Sequence, residues 1–165
     1  MQIKLADWLL DVDVELTMSL SVPQAADHCT CGYCRNFYSA ADVALPSLRS
    51  FLRGFGIDME GPDEFCPFEP TICEATYIVQ GIILRRGHEK LHIDGIPLKL
   101  LTAEQADLKT DHPVPWFALR IGLFELPWVL DEPADQVVSP ANTAECLQRM
   151  EQKLLSYTLE NDLKS

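Results

Sequence analysis

Seven consecutive residues, His28-Cys29-Thr30-Cys31-Gly32-Tyr33-Cys34, hold three of the six cysteines and one of the four histidines in this 165-residue chain. Thiolate sulfur and imidazole nitrogen are ligands that zinc takes, and four of them close a tetrahedral structural site. Cys31 and Cys34 have the separation of an ordinary half-site. Cys29 and Cys31 point opposite ways in extended backbone and converge only in a tight turn, and His28, adjacent to Cys29, converges less readily still. The expected metal set is therefore Cys29, Cys31 and Cys34, with Gly32 easing the turn. Cys66, Cys73 or a histidine, His28 being the nearest, supplies the fourth ligand. Zinc is the cofactor of that reading, and carriage of soft Cu(I) is its variant. The competing reading is structural: reduced thiols packed where a turn meets the core, since cysteine is among the most buried residue types.

The same residues admit redox chemistry, in which Cys31-Gly32-Tyr33-Cys34 precedes a helix whose dipole favours the thiolate. Helix-start signals, however, place the nearest helix at Pro46, roughly ten residues too late, and no strand-helix-strand pattern surrounds the motif. Other chemistry is sparser. His88 and His92 have the spacing of helical ligands but fall in a segment that reads as hairpin and strand. Asp111-His112 lies in a proline-flanked loop with no identifiable nucleophile motif. The chain has no glycine-rich phosphate loop after a strand and no H-E-x-x-H or EF-hand pattern.

The run Cys29-x-Cys31-x-x-Cys34-Arg35-Asn36-Phe37-Tyr38, followed by a helix and Gly56-Ile57-Asp58, resembles a group of small uncharacterised bacterial proteins sharing a C-x-C-x-x-C-R-N-F segment. The resemblance extends to Leu126-Pro127-Trp128-Val129-Leu130. It implies a bacterial origin and transfers no activity. Arg35 would offset thiolate charge and Asn36 would donate hydrogen bonds to sulfur beside a metal; alternatively they pair with Asp42 or cap a turn.

The elements that must position the cluster are mostly strands. Leu10 to Leu20 alternates apolar and polar residues, which predicts one long strand with a buried face of Leu10, Val12, Val14, Leu16, Met18 and Leu20. Its wet face would carry Asp11, Asp13 and Glu15 about 7 Å apart, a solvated acidic row. A shorter strand over residues 3–8, with Asp7 near the bend, forms a hairpin with it. After the cluster, Leu45, Leu48, Phe51, Leu52 and Phe55 recur at helical spacing, with Pro46 in the first turn and Gly54 or Gly56 ending the helix. Residues 57–70 read as loop. Strands follow over 75–84, 90–94 and 116–126, with Gly87 in a turn and Pro97 confining an additional short strand to an edge or bulge. Ser139 and Pro140 start a C-terminal helix over about residues 139–162. The expected fold class is α+β, β-dominated: a mainly antiparallel sheet or sandwich with one internal helix and one C-terminal helix, in a single domain over residues 1–165.

Composition narrows the partners. With 47% hydrophobic residues the chain has the apolar area to form a packed core. Thirteen basic against twenty-five acidic residues give a net charge of −12, which repels phosphate backbones and anionic lipid heads alike. Nucleic acid and membrane are not expected partners. The N-terminus lacks the pattern of a secretory signal, which points to a cytoplasmic location where cysteines stay reduced. With no acid, base and nucleophile set in sight, the leading expectation is a non-enzymatic module that binds a protein partner, the cysteine cluster being structural. The rival is a metal- or thiol-dependent enzyme or carrier built on Cys29, Cys31 and Cys34, with His28 as a proton carrier. The C-terminal helix stripe offers a surface for homo-oligomerisation.

Overall fold

The first residues fold into the expected hairpin. Strand β1 (Gln2–Leu5) and strand β2 (Trp8–Val12) pair antiparallel around Ala6 and Asp7, with Leu5 opposite Trp8. The Asp7 carboxylate then accepts the backbone N–H groups of His88 and Glu89 at 2.7 and 3.2 Å, fastening the hairpin bend to a second one. The computed structural model describes residues 1–21, 31–69 and 71–134.

The long alternating strand is not formed. β2 ends at Val12, and helix α1 (Val14–Ser21) begins at once, because the Asp13 carboxylate accepts the N–H of Leu16 at 2.9 Å and caps its first turn. Side chains expected inside therefore point out: Leu16, Met18 and Leu20 are 39, 55 and 38% exposed. Thr17, expected on the wet face, is only 1% exposed. Its hydroxyl donates to Asp13 O at 2.7 Å and accepts the backbone N–H of Gln80 at 3.0 Å, tying the helix to the sheet. The acidic row dissolves with the strand, since Asp11 instead pairs with the N-terminal ammonium and Asp13 serves as the cap.

Two helices follow rather than one. Helix α2 (Gly32–Ala44) precedes helix α3 (Pro46–Gly54), which matches the expected helix, and Gly56 takes a left-handed φ of 81° just after it. The segment expected to be loop contains strand β3 (Glu64–Glu69). It is followed by β4 (Ile72–Arg85), β5 (Leu91–Ile93), β6 (Ile96–Thr102), the short helix α4 (Ala103–Ala106) and β7 (Trp116–Glu125). The described strands form a single seven-stranded sheet in the order β1-β2-β4-β7-β6-β5, with β3 also pairing β4, and every pairing is antiparallel. β6 is an interior strand. Pro97 lies opposite His92 in the β5–β6 pair and one residue before the β6–β7 pairing begins, at Leu98 opposite Ile121, so on the β7 side its missing N–H falls outside the ladder.

β4 is the spine: at 14 residues it pairs with β2, β3 and β7. Where it meets β2, Gly81 adopts φ +150°, and a Cβ there would lie 2.1 Å from Asp11 O; the close approach requires glycine. Cys73, Ala75, Tyr77 and Val79 of β4 join Phe117, Leu119 and Ile121 of β7 in the main core, with Phe37, Ala40 and Ala41 of α2 and Leu48 and Leu52 of α3. Ile78, Trp116 and Ala118 pack in a second cluster with Ala106, Leu101 and Leu108. Among the described residues no helix is long and apolar enough to cross a membrane. The expected C-terminal helix and its oligomerisation stripe lie outside the described residues.

Candidate functional site

The Cys31–Cys34 pair does not precede a distant helix; it starts one. Cys31 is the N-cap of α2, with extended φ and ψ of −65° and 157°, and its Sγ accepts the N–H of Cys34 at 3.5 Å. The Arg35 N–H donates to Cys31 O at 2.9 Å, the first helical bond. Cys31 is half-buried, and Cys34, three residues on, is 8% exposed. The N-terminal end of α2, with its orphan backbone N–H groups and the positive end of its dipole, thus lies beside the Cys31 sulfur.

The residues after Cys34 fix this end of α2 to the segment that follows β7. Asn36, 2% exposed, donates from Nδ2 to Pro127 O at 3.1 Å and accepts the Val129 N–H on Oδ1 at 2.8 Å. The Arg35 guanidinium meets Glu132 fork to fork, at 3.0 and 2.7 Å. Tyr33 stands edge-on to Trp128 with ring centroids 6.0 Å apart, and Trp128 Nε1 donates to Glu132 O at 2.8 Å. Phe37 enters the core against Phe65, at 4.6 Å between centroids. The two segments that carry the resemblance, C-R-N-F and L-P-W-V-L, are thus one contact in space. Asp42 binds Arg49 rather than Arg35 or Asn36, and Asn36 caps main-chain groups of the Pro127–Val129 segment.

Charge is coupled across this contact. Glu132 foremost, and the Cys31 sulfur after it, hold the Arg35 guanidinium above its usual proton affinity. Arg35 in turn holds the Glu132 carboxyl below the ordinary glutamate range.

The other candidate ligands are dispersed. Cys66 lies on β3 opposite Glu74, its Sγ donating to Glu64 Oε1 at 3.2 Å. Cys73 is in the main core, where burial pushes its thiol up to about 12, so it stays protonated at neutral pH. His28 and Cys29 fall outside the described residues. Among the described residues no group of three His, Cys, Asp or Glu side chains comes together to hold a metal ion. His88 lies in the connection between β4 and β5 and His92 on β5, both exposed, as their hairpin and strand setting implied.

One constellation was not legible beforehand. His112, in the loop after α4, meets Asp63 with Nε2 to Oδ1 at 3.2 Å and Gln80 with Nδ1 to Nε2 at 3.1 Å. Asp63 Oδ2 also accepts the N–H of Ile78 at 2.7 Å. Burial, outweighing the hydrogen bond from Ile78 and the attraction of His112, raises the Asp63 carboxyl above its ordinary value. Both ring nitrogens are engaged by side chains, so the trio is built as a clasp joining two loops to β4. The signal that would have found it, a polar pair facing buried Gln80, exists only after β4 is placed.

Comparison with known proteins returns no matching protein family, curated protein or solved structure.

Proposed function

We propose that the protein acts by thiol–disulfide exchange through Cys31 and Cys34. The single observation that carries this reading is that α2 begins at Gly32, which puts Cys31 at the helix N-cap and Cys34 in the first turn. The absence of a helix at this point was the main sequence argument against redox chemistry. The half-buried Cys31 suits the attacking sulfur and the buried Cys34 the resolving one. Cys31 thiolate attacks one sulfur of a partner disulfide, forming a mixed disulfide and expelling the other sulfur as a thiolate. Cys34, its proton passed to water, then attacks Cys31 sulfur, closes the Cys31–Cys34 bond and releases the partner's second thiolate. Two electrons pass from this chain to the partner, which is reduced to two thiols.

The test treats reduced protein with oxidised glutathione and maps the products by mass spectrometry. The expected products are a Cys31–Cys34 disulfide in the native chain and a Cys31–glutathione adduct trapped in Cys34→Ser. Full alkylation of both thiols across the titration overturns the proposal. So does a stoichiometric zinc ion, found by elemental analysis of protein purified without chelator and lost in Cys31→Ser, because that result assigns Cys31 and Cys34 to a metal site with Cys29.

A second reading, a non-enzymatic protein-interaction module in which the cysteines are structural, is favoured by α1. That helix turns Leu16, Met18 and Leu20 to solvent, apolar area of the kind that marks a contact surface. A partner captured by wild type, retained by Cys31→Ser and lost on Met18→Asp supports it; a partner held only as a mixed disulfide with Cys34→Ser supports the exchange reading.

A further inference from the structure

Independently of both readings above, we infer that two copies of this chain dock through the outer face of the β1–β2–β4 end of the sheet, related by a two-fold axis. In these strands Ile3, Leu10, Val12 and Ile83 turn to the main core. Alternation therefore sends Gln2, Lys4, Leu9, Asp11 and Ile82 to the opposite side. The register slips between Leu9 and Leu10, whose partners are Arg85 and Ile83, and the extra residue, Leu84, bulges beside them. A sheet face left to water carries polar residues at its outward positions. Here Ile82 and Leu84 are 42 and 44% exposed, and half-buried Leu9 lies next to them, an apolar centre of the kind that marks a contact surface.

The charges around that centre identify the occupant as a second copy. At one end Asp11, Asp13 and Glu15 line a cleft of about 660 Å³ beside Ile82 and Pro115, and the N-terminal ammonium offsets only the Asp11 carboxylate. At the other end, about 7 Å along the strands, Lys4 and Arg85 stand opposite Leu9 on either side of it. Acid thus lies at one end of the face and base at the other, with apolar side chains between. Such a pattern is self-complementary. A two-fold axis lying in the interface, across the strands, seats the basic end of each copy on the acidic cleft of the other and brings the two apolar centres together. Among the described residues Lys4 and Glu15 form no ion pair within the chain, so both charges are available to a partner. The net charge of −12 opposes association of copies in general; on this face the opposed ends cancel that repulsion locally.

The test is sedimentation velocity of the full chain over a concentration series at neutral pH. Wild type is expected to pass from monomer to dimer as concentration rises. Leu84→Asp, which puts a charge into the apolar centre, should weaken the dimer about tenfold or more. Lys4→Glu and Glu15→Lys should each weaken it about tenfold, because symmetry reverses two contacts at once. An equimolar mixture of those two variants should nevertheless associate as wild type does. In the mixture one copy is acidic at both ends and the other basic at both, so the facing charges are again opposite. Met18→Asp, on the separate α1 surface, should leave the dimer intact. A chain that stays monomeric throughout, a dimer that survives Leu84→Asp or is lost in Met18→Asp, or a mixture no tighter than its components overturns the inference. Circular dichroism checks each variant's fold, and the charge-reversed mixture decides the matter if Leu84→Asp does not fold. The glutathione experiment on Cys31 and Cys34 is scored separately and stands or falls without the dimer.

Discussion

Asn36 and Val129 are 93 positions apart in sequence, yet the side-chain oxygen of one accepts the backbone N–H of the other at 2.8 Å. The same amide donates to Pro127 O. A single side chain thus satisfies two main-chain groups of a segment that leaves the sheet after β7 and, among the described residues, pairs with no strand.

Asn36→Ala should therefore be costly. It deletes both hydrogen bonds of the buried Asn36 side chain, and because Pro127 and Val129 are themselves exposed and water can reach their main-chain groups, the expected loss is about 1–2 kcal/mol. Urea unfolding followed by circular dichroism measures it. Asn36→Asp should be no rescue, because its carboxylate would face Pro127 O without a proton to offer. A variant as stable as wild type would show that the clamp contributes nothing.

Thr17 gives a second, independent test. Its hydroxyl bridges Asp13 O and the Gln80 N–H inside the protein, so Thr17→Val keeps the shape and strands a buried donor, at about 1–3 kcal/mol. Thr17→Ser should retain most of the stability. Equal melting of Thr17→Val and wild type would contradict the placement of α1 against β4.

Asp63 predicts a pH dependence. Burial foremost holds its folded carboxyl above the ordinary 3.8, so the native state binds this proton more tightly than the unfolded chain does. Wild-type stability should accordingly fall, relative to Asp63→Asn, as pH rises through the interval just above 3.8, and the difference should level off beyond it. Denaturation of both proteins at a series of pH values reads this directly. A difference that moves the other way would mean that attraction to His112 outweighs burial.

Where sequence and structure agree, the signals were local. Pro46 and the Leu48–Leu52 stripe of α3, the Asp7 bend of the first hairpin, and the β-branched and aromatic residues of β4 and β7 each carry their own pattern. The errors have physical causes of two kinds. In α1, Asp13 was an available cap, but the apolar residues at 14, 16, 18 and 20 mimic a strand, and the face the helix buries is set by Val14, Thr17 and Ser21 instead. In α2, the start is a cysteine rather than a usual capping residue, and around Phe37 the residues it buries, Gly32, Cys34, Asn36, Ala40 and Ala41, are small or polar and make a weak apolar stripe. The candidate site inherits that second error, because its chemistry depends on where the helix begins. The clamp to Pro127, Val129 and Glu132, and the clasp of Asp63 with His112, are long-range and have no local periodicity to betray them.

The separation between α2 and its clamp also sets an order of events during synthesis. The residues that seat Asn36 and Arg35 are made 91 to 97 positions after them, about 5–20 s later at ordinary ribosomal rates. For an interval of that length after it emerges, the cysteine pair is outside the ribosome without the segment that clamps its helix, so the nascent chain meets the redox conditions of its compartment before the finished protein does.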